Sequence, residues 1–145
     1  SRVKKVLAIP PTDRKLINQI PLEIENLRES CWKSLGVSRT REEMEEMLMD
    51  IEKRNNQLQN NFLLDSTKNI DLNQYVFFEE PDRRLLNLLL DLNSRQITTK
   101  LLLEACLFRK ESRGGHFRED YPNKDKLWEC HSRQKKNHKI KKRFI

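Results

Sequence analysis

The sequence predicts an all-α fold, an antiparallel three-helix bundle with an extended N-terminal segment and an irregular basic C-terminal tail. Three observations lead there. Apolar residues recur at helical spacing in three separate stretches. Charged residues make up 35% of the 145-residue chain, more than the usual ~25%, as expected of a solvated, mostly helical exterior. Leu, Ile, Val and Phe together number 40, enough for one core at single-domain size.

Residues 1–21 contain Pro10, Pro11 and Pro21, which fix φ and remove backbone donors, so this segment reads as extended. A first helix follows Pro21. Ile24, Leu27, Cys31 and Leu35 lie on one face of it, and Gly36 offers a left-handed terminus. A second helix opens at Thr40, whose spacing to Glu43 is that of a capping box. Glu42, Glu43, Glu45 and Glu46 complement the positive end of its dipole, and Met44, Met47, Leu48, Ile51, Asn55 and Leu58 form its inward face. Residues 59–80 are polar and read as a connection, with Tyr75, Val76, Phe77 and Phe78 pinning it to the core.

The third helix is the longest, with Pro81 at its first turn and a pattern running from 82 to about 112. Its leucines, Ile97, Cys106 and Phe108 cover more than one face, which leaves apolar surface for something besides two partner helices. Gly114 and Gly115 end it. The bundle thus occupies 22–112, a loop and C-terminal segment 113–132, and a basic tail 133–145.

Several functions are excluded. No G-x-G-x-x-G turn is present, so the chain does not bind a dinucleotide through a Rossmann unit. No apolar run approaches the ~18 residues of a membrane span. The four apolar residues between Lys5 and Pro10 are too few for a signal-peptide core. Cys31, Cys106 and Cys130 are odd in number and lack a C-x-x-C, which fits a reducing cytoplasm better than a disulfide scaffold. His116, Cys130, His131 and His138 show no metal-ligand spacing, so no metal site is expected. The glutamates of the second helix read as a helix start, not an acid/base pair.

Charge is unevenly placed. From 109 onward the chain holds 13 Lys/Arg and 5 Asp/Glu, whereas the first 108 residues are nearly neutral. A terminal basic block can bind nucleic acid or another anionic surface; it can equally be a solubilising tail. Trp128, Phe117 and Tyr121 are available for stacking but are not interleaved with the basic run.

The densest chemistry lies in Glu111-Ser112-Arg113-Gly114-Gly115-His116-Phe117-Arg118-Glu119-Asp120-Tyr121-Pro122. Arg113 and Arg118 can make forked bonds to carboxylates or carbonyls, and the two glycines allow close backbone approach. A helix end followed by a polar surface loop is the plainer reading. The string, together with Leu127-Trp128-Glu129-Cys130-His131-Ser132 and the upstream Trp32-Lys33-Ser34-Leu35-Gly36-Val37 and Arg39, resembles the C-terminal region of a flavoprotein family. That family includes L-aspartate oxidase and the flavoprotein subunits of succinate dehydrogenase and fumarate reductase. Gly115 in place of Ala, and Asn123-Lys124-Asp125-Lys126-Leu127-Trp128 in place of a D-D-E-N-W run, depart from the dehydrogenase and reductase pattern, while the double glycine and Trp128-Glu129-Cys130-His131-Ser132-Arg133-Gln134 resemble the L-aspartate oxidase branch more closely.

The resemblance implies a cytoplasmic FAD oxidoreductase that converts L-aspartate to iminoaspartate in NAD biosynthesis. Its catalytic groups lie in FAD-binding and capping domains of the same polypeptide. This chain is then expected to be an excised C-terminal domain, without a catalytic residue or bound FAD, that docks on those domains. Glu111, Ser112, Arg113, Gly114, His116, Arg118, Asp120 and Tyr121 are the expected motif and interdomain-contact residues, led by Arg113, His116 and Arg118. The alternatives are the corresponding domain of a succinate dehydrogenase or fumarate reductase flavoprotein, or a small basic nucleic-acid-binding domain.

Overall fold

The computed structural model describes residues 4–6, 15–68, 75–78, 80, 82–136 and 138–144. Its elements are β1 (Lys4–Val6), α1 (Leu16–Leu35), α2 (Arg41–Gln59), α3 (Phe62–Lys68), β2 (Tyr75–Phe77), α4 (Asp82–Phe108), β3 (His131–Arg133) and β4 (Lys141–Arg143). A 3-10 turn at Lys126–Trp128 lies between α4 and β3. β1 pairs in parallel with β2, and β3 pairs antiparallel with β4.

The long helix α4 is the spine, and α1, α2 and α3 all pack on it. Leu85, Leu89, Leu92 and Leu103 of α4 meet Ile20 and Leu27 of α1, Met44, Met47 and Ile51 of α2, and Leu63 and Leu64 of α3 in one core. The helical spacing read from the sequence accounts for these faces. Polar pairs fix the direction of α2 against α4: Lys100 Nζ is 2.8 Å from Glu52 Oε1, Asn55 donates to Gln96 at 3.2 Å, and Gln59 donates to Asn93 at 2.7 Å. Later residues of α2 meet earlier residues of α4, so the two run antiparallel. Helix α1 runs the other way, with Leu16 and Ile20 beside Leu89 and Leu92, and Cys31 Sγ 3.5 Å from Thr99 Oγ1. Gln96 is 2% exposed, and a buried amide with its bond made holds one register.

Four expectations are corrected. The three expected helices are joined by a fourth, α3, inside the segment read as a connection; Leu63 and Leu64 bury there, and the Asn61 side chain accepts from the amide of Leu63 at 2.9 Å. Helix α1 begins at Leu16, before Pro21, and carries that proline inside it. The bond lost by Pro21 is outweighed by the burial of Ile20, with Leu16 and Ile17 packed beside it. Helix α4 ends at Phe108, ahead of the glycines. The basic tail is not irregular, because 131–133 and 141–143 pair as a hairpin. Pro10, Pro11 and Pro81 lie outside the described residues.

Thr40 caps α2 as read, its hydroxyl accepting from the Glu43 amide at 3.3 Å and meeting Glu43 Oε2 at 3.1 Å. Gly36 ends α1 for a different reason from the one expected. Its φ is −64°, outside the left-handed region, but a Cβ there would lie 2.4 Å from the Trp32 carbonyl oxygen. That oxygen is backbone and cannot swing aside. Gly36→Ala should therefore lower stability by about 1–3 kcal/mol, read as a shift in the urea midpoint.

Apolar surface remains on the helices. Leu90, Ile97, Leu101 and Leu102 of α4 are at least 40% exposed, and Trp32 at the end of α1 is 78% exposed. Among the described residues, no helix is long and apolar enough to cross a membrane.

Candidate functional site

A helix leaves its last four carbonyls without intrahelical partners. At the end of α4, the Arg109 amide returns to Ala105 O at 3.2 Å, and a side chain from further along meets the carbonyls of Cys106 and Leu107. Arg118 Nη1 lies 3.1 Å from Cys106 O, 3.0 Å from Leu107 O and 3.2 Å from Arg109 O. A cation suits the negative end of the helix dipole. The other edge of the guanidinium forks onto Asp120, with Nε 2.9 Å from Oδ1 and Nη2 on Oδ2. Its plane lies 4.8 Å from the centre of the Tyr121 ring, and the whole residue is 1% exposed. Arg118 draws the Asp120 carboxyl below its ordinary range, chiefly through the hydrogen bonds between them.

Ser112 ties the loop shut from inside. Its hydroxyl accepts from the Arg118 amide at 2.9 Å and sits 2.8 Å from Tyr121 O. The loop between 112 and 121 is thus closed on itself by one buried hydroxyl.

A second cluster centres on Glu111, which is fully buried. Arg113 forks onto it with Nε at 3.0 Å from Oε1 and Nη2 at 3.0 Å from Oε2, Arg109 Nη1 donates to Oε1, and the Asp125 amide donates to Oε2 at 2.9 Å. The hydrogen bonds of Arg113 come first, then the Asp125 amide and the two positive charges; together they hold the Glu111 carboxyl at about 2 against burial. Arg109 also donates to Trp128 O at 3.0 Å and Cys130 O at 2.5 Å, which brings the chain after the 3-10 turn under α4. Trp128 stacks edge-on to Phe108 with ring centres 5.2 Å apart, and Lys142 Nζ caps its other face at 3.6 Å.

Between the clusters, Arg113 and His116 exchange both backbone bonds, at 2.8 and 3.1 Å, across a two-residue turn. Gly114 has φ +59°, the conformation a primed hairpin turn needs at its first central position. Among the described residues beyond the immediate chain neighbours, no heavy atom lies within 4 Å of a Cβ built on either glycine, so the expected close backbone approach is not their role. Among the described residues His116 Nε2 is buried without a hydrogen-bond partner; burial first, then the charges of Arg39, Arg109 and Arg118, lowers the imidazole pKa against the opposing pull of the Arg109 backbone. Arg39, in the link between α1 and α2, donates to Leu35 O at 3.2 Å and Gly115 O at 3.2 Å, while its own carbonyl accepts from the Glu119 amide at 3.0 Å. Two distant parts of the chain are thereby fastened together.

The structure gathers all eight residues singled out in the sequence, but in two carboxylate-centred clusters. Glu111 and Arg113 form one; Ser112, Arg118, Asp120 and Tyr121 form the other; Gly114 and His116 shape the turn. Sequence reasoning did not assign Arg109 or Asp125 to the site, although the alternation Arg109, Glu111, Arg113 placed opposite charges two residues apart. Beside the turn, Trp32, Val37, Leu102, Gly114, Gly115 and Phe117 line an open apolar groove of about 680 Å³. Among the described residues, no group of three or more His, Cys, Asp or Glu could hold a metal ion.

The family described as fumarate reductase flavoprotein C-term matches residues 24–144. Over 111 residues the chain is 31% identical to a subunit of the fumarate reductase (CoM/CoB) of Methanothermobacter marburgensis, covering 74% of this chain and 18% of that protein. Over 134 residues it is 26% identical to an L-aspartate oxidase of Synechocystis sp., covering 90% of this chain and 23% of the relative. A stretch of 32 residues is 56% identical to an L-aspartate oxidase of Nostoc sp., covering 22% of this chain and 6% of that protein. The chain spans about a fifth of the length of the first and second of these relatives. No solved structure matches it.

Proposed function

The chain belongs to the fumarate reductase flavoprotein C-terminal family, and from that premise we propose that it is the C-terminal helical domain of an L-aspartate oxidase. The observation that carries this reading is the similarity to two cyanobacterial L-aspartate oxidases, one along 90% of the chain and one at 56% identity over 32 residues. On this reading the parent is an FAD enzyme that converts L-aspartate to iminoaspartate in the cytoplasm, at the start of NAD biosynthesis.

The role of this domain is to orient, not to react. The guanidinium groups of Arg113 and Arg118 are already forked onto Glu111 and Asp120, a donor set that does not fit a flavin pyrophosphate. We therefore assign FAD and the reacting groups to the FAD-binding and capping domains of the same polypeptide. Arg118 and Glu111 make the end of α4 rigid, and rigidity there fixes where the groove of Trp32, Val37, Leu102 and Phe117 is presented. Burying that apolar face against the FAD-binding domain would contribute about 25 cal/mol per Å2. Arg113 and His116, on the same turn, are the residues we place nearest that boundary.

A second reading has its own support in the 31% identity to a fumarate reductase over 74% of the chain. An activity comparison separates the two. The full-length parent, loaded with FAD, should oxidise L-aspartate and leave succinate untouched, and the 145-residue chain alone should turn over neither. Succinate oxidation or fumarate reduction without L-aspartate oxidation would assign the parent to the dehydrogenase branch.

A further inference from the structure

The hairpin of β3 and β4 carries an arrangement that the docking role does not use. From 131 to 145 the sequence holds seven Lys/Arg and no Asp or Glu. Strand pairing sets His131 opposite Arg143 and Arg133 opposite Lys141. Because side chains alternate across a strand, these four share one face, and all four are exposed. Arg133 and Lys141 are like charges directly opposite each other and repel, so this pair is formed against its own electrostatics.

The opposite side of the hairpin is anchored. Lys142 caps the Trp128 ring and donates to Leu127 O at 2.7 Å, and Gln134 donates to Leu101 O at 2.9 Å and to Glu104 at 3.2 Å. The cationic face therefore sits on a fixed base. Elsewhere, arginines on the helices meet carboxylates one turn away, as in Arg41–Glu45, Arg54–Asp50 and Arg95–Asp91. No ion pair among the described residues involves Arg133, Lys135, Lys139, Lys141 or Arg143. Arg133, Lys135, His138, Lys139 and Lys141 instead line a concavity of about 200 Å³.

We propose that this concavity on the β3–β4 hairpin is a binding site for a small phosphate-dense anion, of the di- or triphosphate class. Four permanent cations and a histidine around one hollow supply the forked and point-charge donors that phosphate oxygens accept. The volume is below the ~300 Å³ of common small-molecule sites, which suits a phosphate chain better than a whole nucleotide. Among the described residues no Phe, Tyr or Trp lines the hollow, so a base would find only the small His138 ring to stack on. The assignment does not depend on which flavoenzyme the parent is.

The test is calorimetric titration of the intact 145-residue chain with sodium triphosphate, alongside thermal unfolding. One-to-one binding that weakens with added salt is expected, with a rise in melting temperature on binding. The double variant Arg133→Gln with Lys141→Gln should weaken binding at least tenfold and lose the ligand-induced rise. Without ligand it should melt no lower than the parent chain, since it relieves a repulsion, and this separates lost binding from lost folding. The control Lys110→Gln, at an exposed cation outside the hairpin, should bind as the parent does. Absence of binding, or equal weakening in the control, overturns the site. Tighter binding of a single-stranded thymidine oligonucleotide, growing with its length, overturns the small-anion assignment in favour of a nucleic-acid strand.

Discussion

Replacing Arg118 with alanine should cost the domain about 3–5 kcal/mol, read as a fall in the urea midpoint with m unchanged. One buried guanidinium serves three carbonyls at the end of α4 and both oxygens of Asp120. Truncation strands those carbonyls and leaves the carboxylate facing them, and unmet buried groups are costlier than the net value of a made bond. Most domains have only about 5–15 kcal/mol in reserve, so the loss would bring the fold close to its limit. Arg118→Lys keeps the charge but not the planar fork, and should lose about 1.5–3 kcal/mol. A surface arginine sets the scale: Arg54→Ala breaks the exposed pair with Asp50 at 2.7 Å, a kind of pair worth about 0.2–1 kcal/mol. If Arg118→Ala cost no more than Arg54→Ala, the cap would not be holding the end of α4.

The contrast between those two arginines shows where sequence reading stops. Leu27, Met44, Ile51, Leu85 and Leu89 all reach the core because helical spacing alone dictates which side of a helix they occupy. Pro21 misleads because its effect is local, while the burial of Ile20 beside α4 is tertiary. The end of α4 is overrun for a similar reason. Arg109, Lys110 and Glu111 all tolerate helix, and what stops it is Arg118, arriving from beyond a turn to take the last carbonyls. The β3–β4 hairpin has no apolar alternation to announce it; Trp128 under Lys142 and Gln134 against α4 hold it in place. The string from Glu111 to Tyr121 was legible as a dense polar motif and by resemblance. Which arginine turns inward was not, since Arg113 and Arg118 are equivalent until the fold gives one of them three carbonyls.

Glu111 carries the second large effect, and acid gives it a signature. Glu111→Gln keeps the shape but removes the charge that Arg109, Arg113 and the Asp125 amide converge on. Two partly exposed guanidinium groups would then face an amide instead of a carboxylate, at a cost of about 1.5–3 kcal/mol near neutral pH. The folded carboxyl is held at about 2 against an ordinary 4.5, so the ionised form favours the folded state. That stabilisation is complete above 4.5 and is lost as pH falls from there toward 2. The gap between the parent chain and Glu111→Gln should therefore stay level from neutrality down to about 4.5 and narrow below it. His116 acts in an earlier window. Its pKa is lowered in the folded state, so the neutral ring favours folding, and that contribution starts to fade as pH drops below the ordinary 6.5. Both proteins carry His116, so its loss moves both curves together and leaves the gap unchanged. Unfolding curves at a series of pH values would check this: a gap that closed between 6.5 and 4.5 would mean that Glu111 is not the group paired with Arg113.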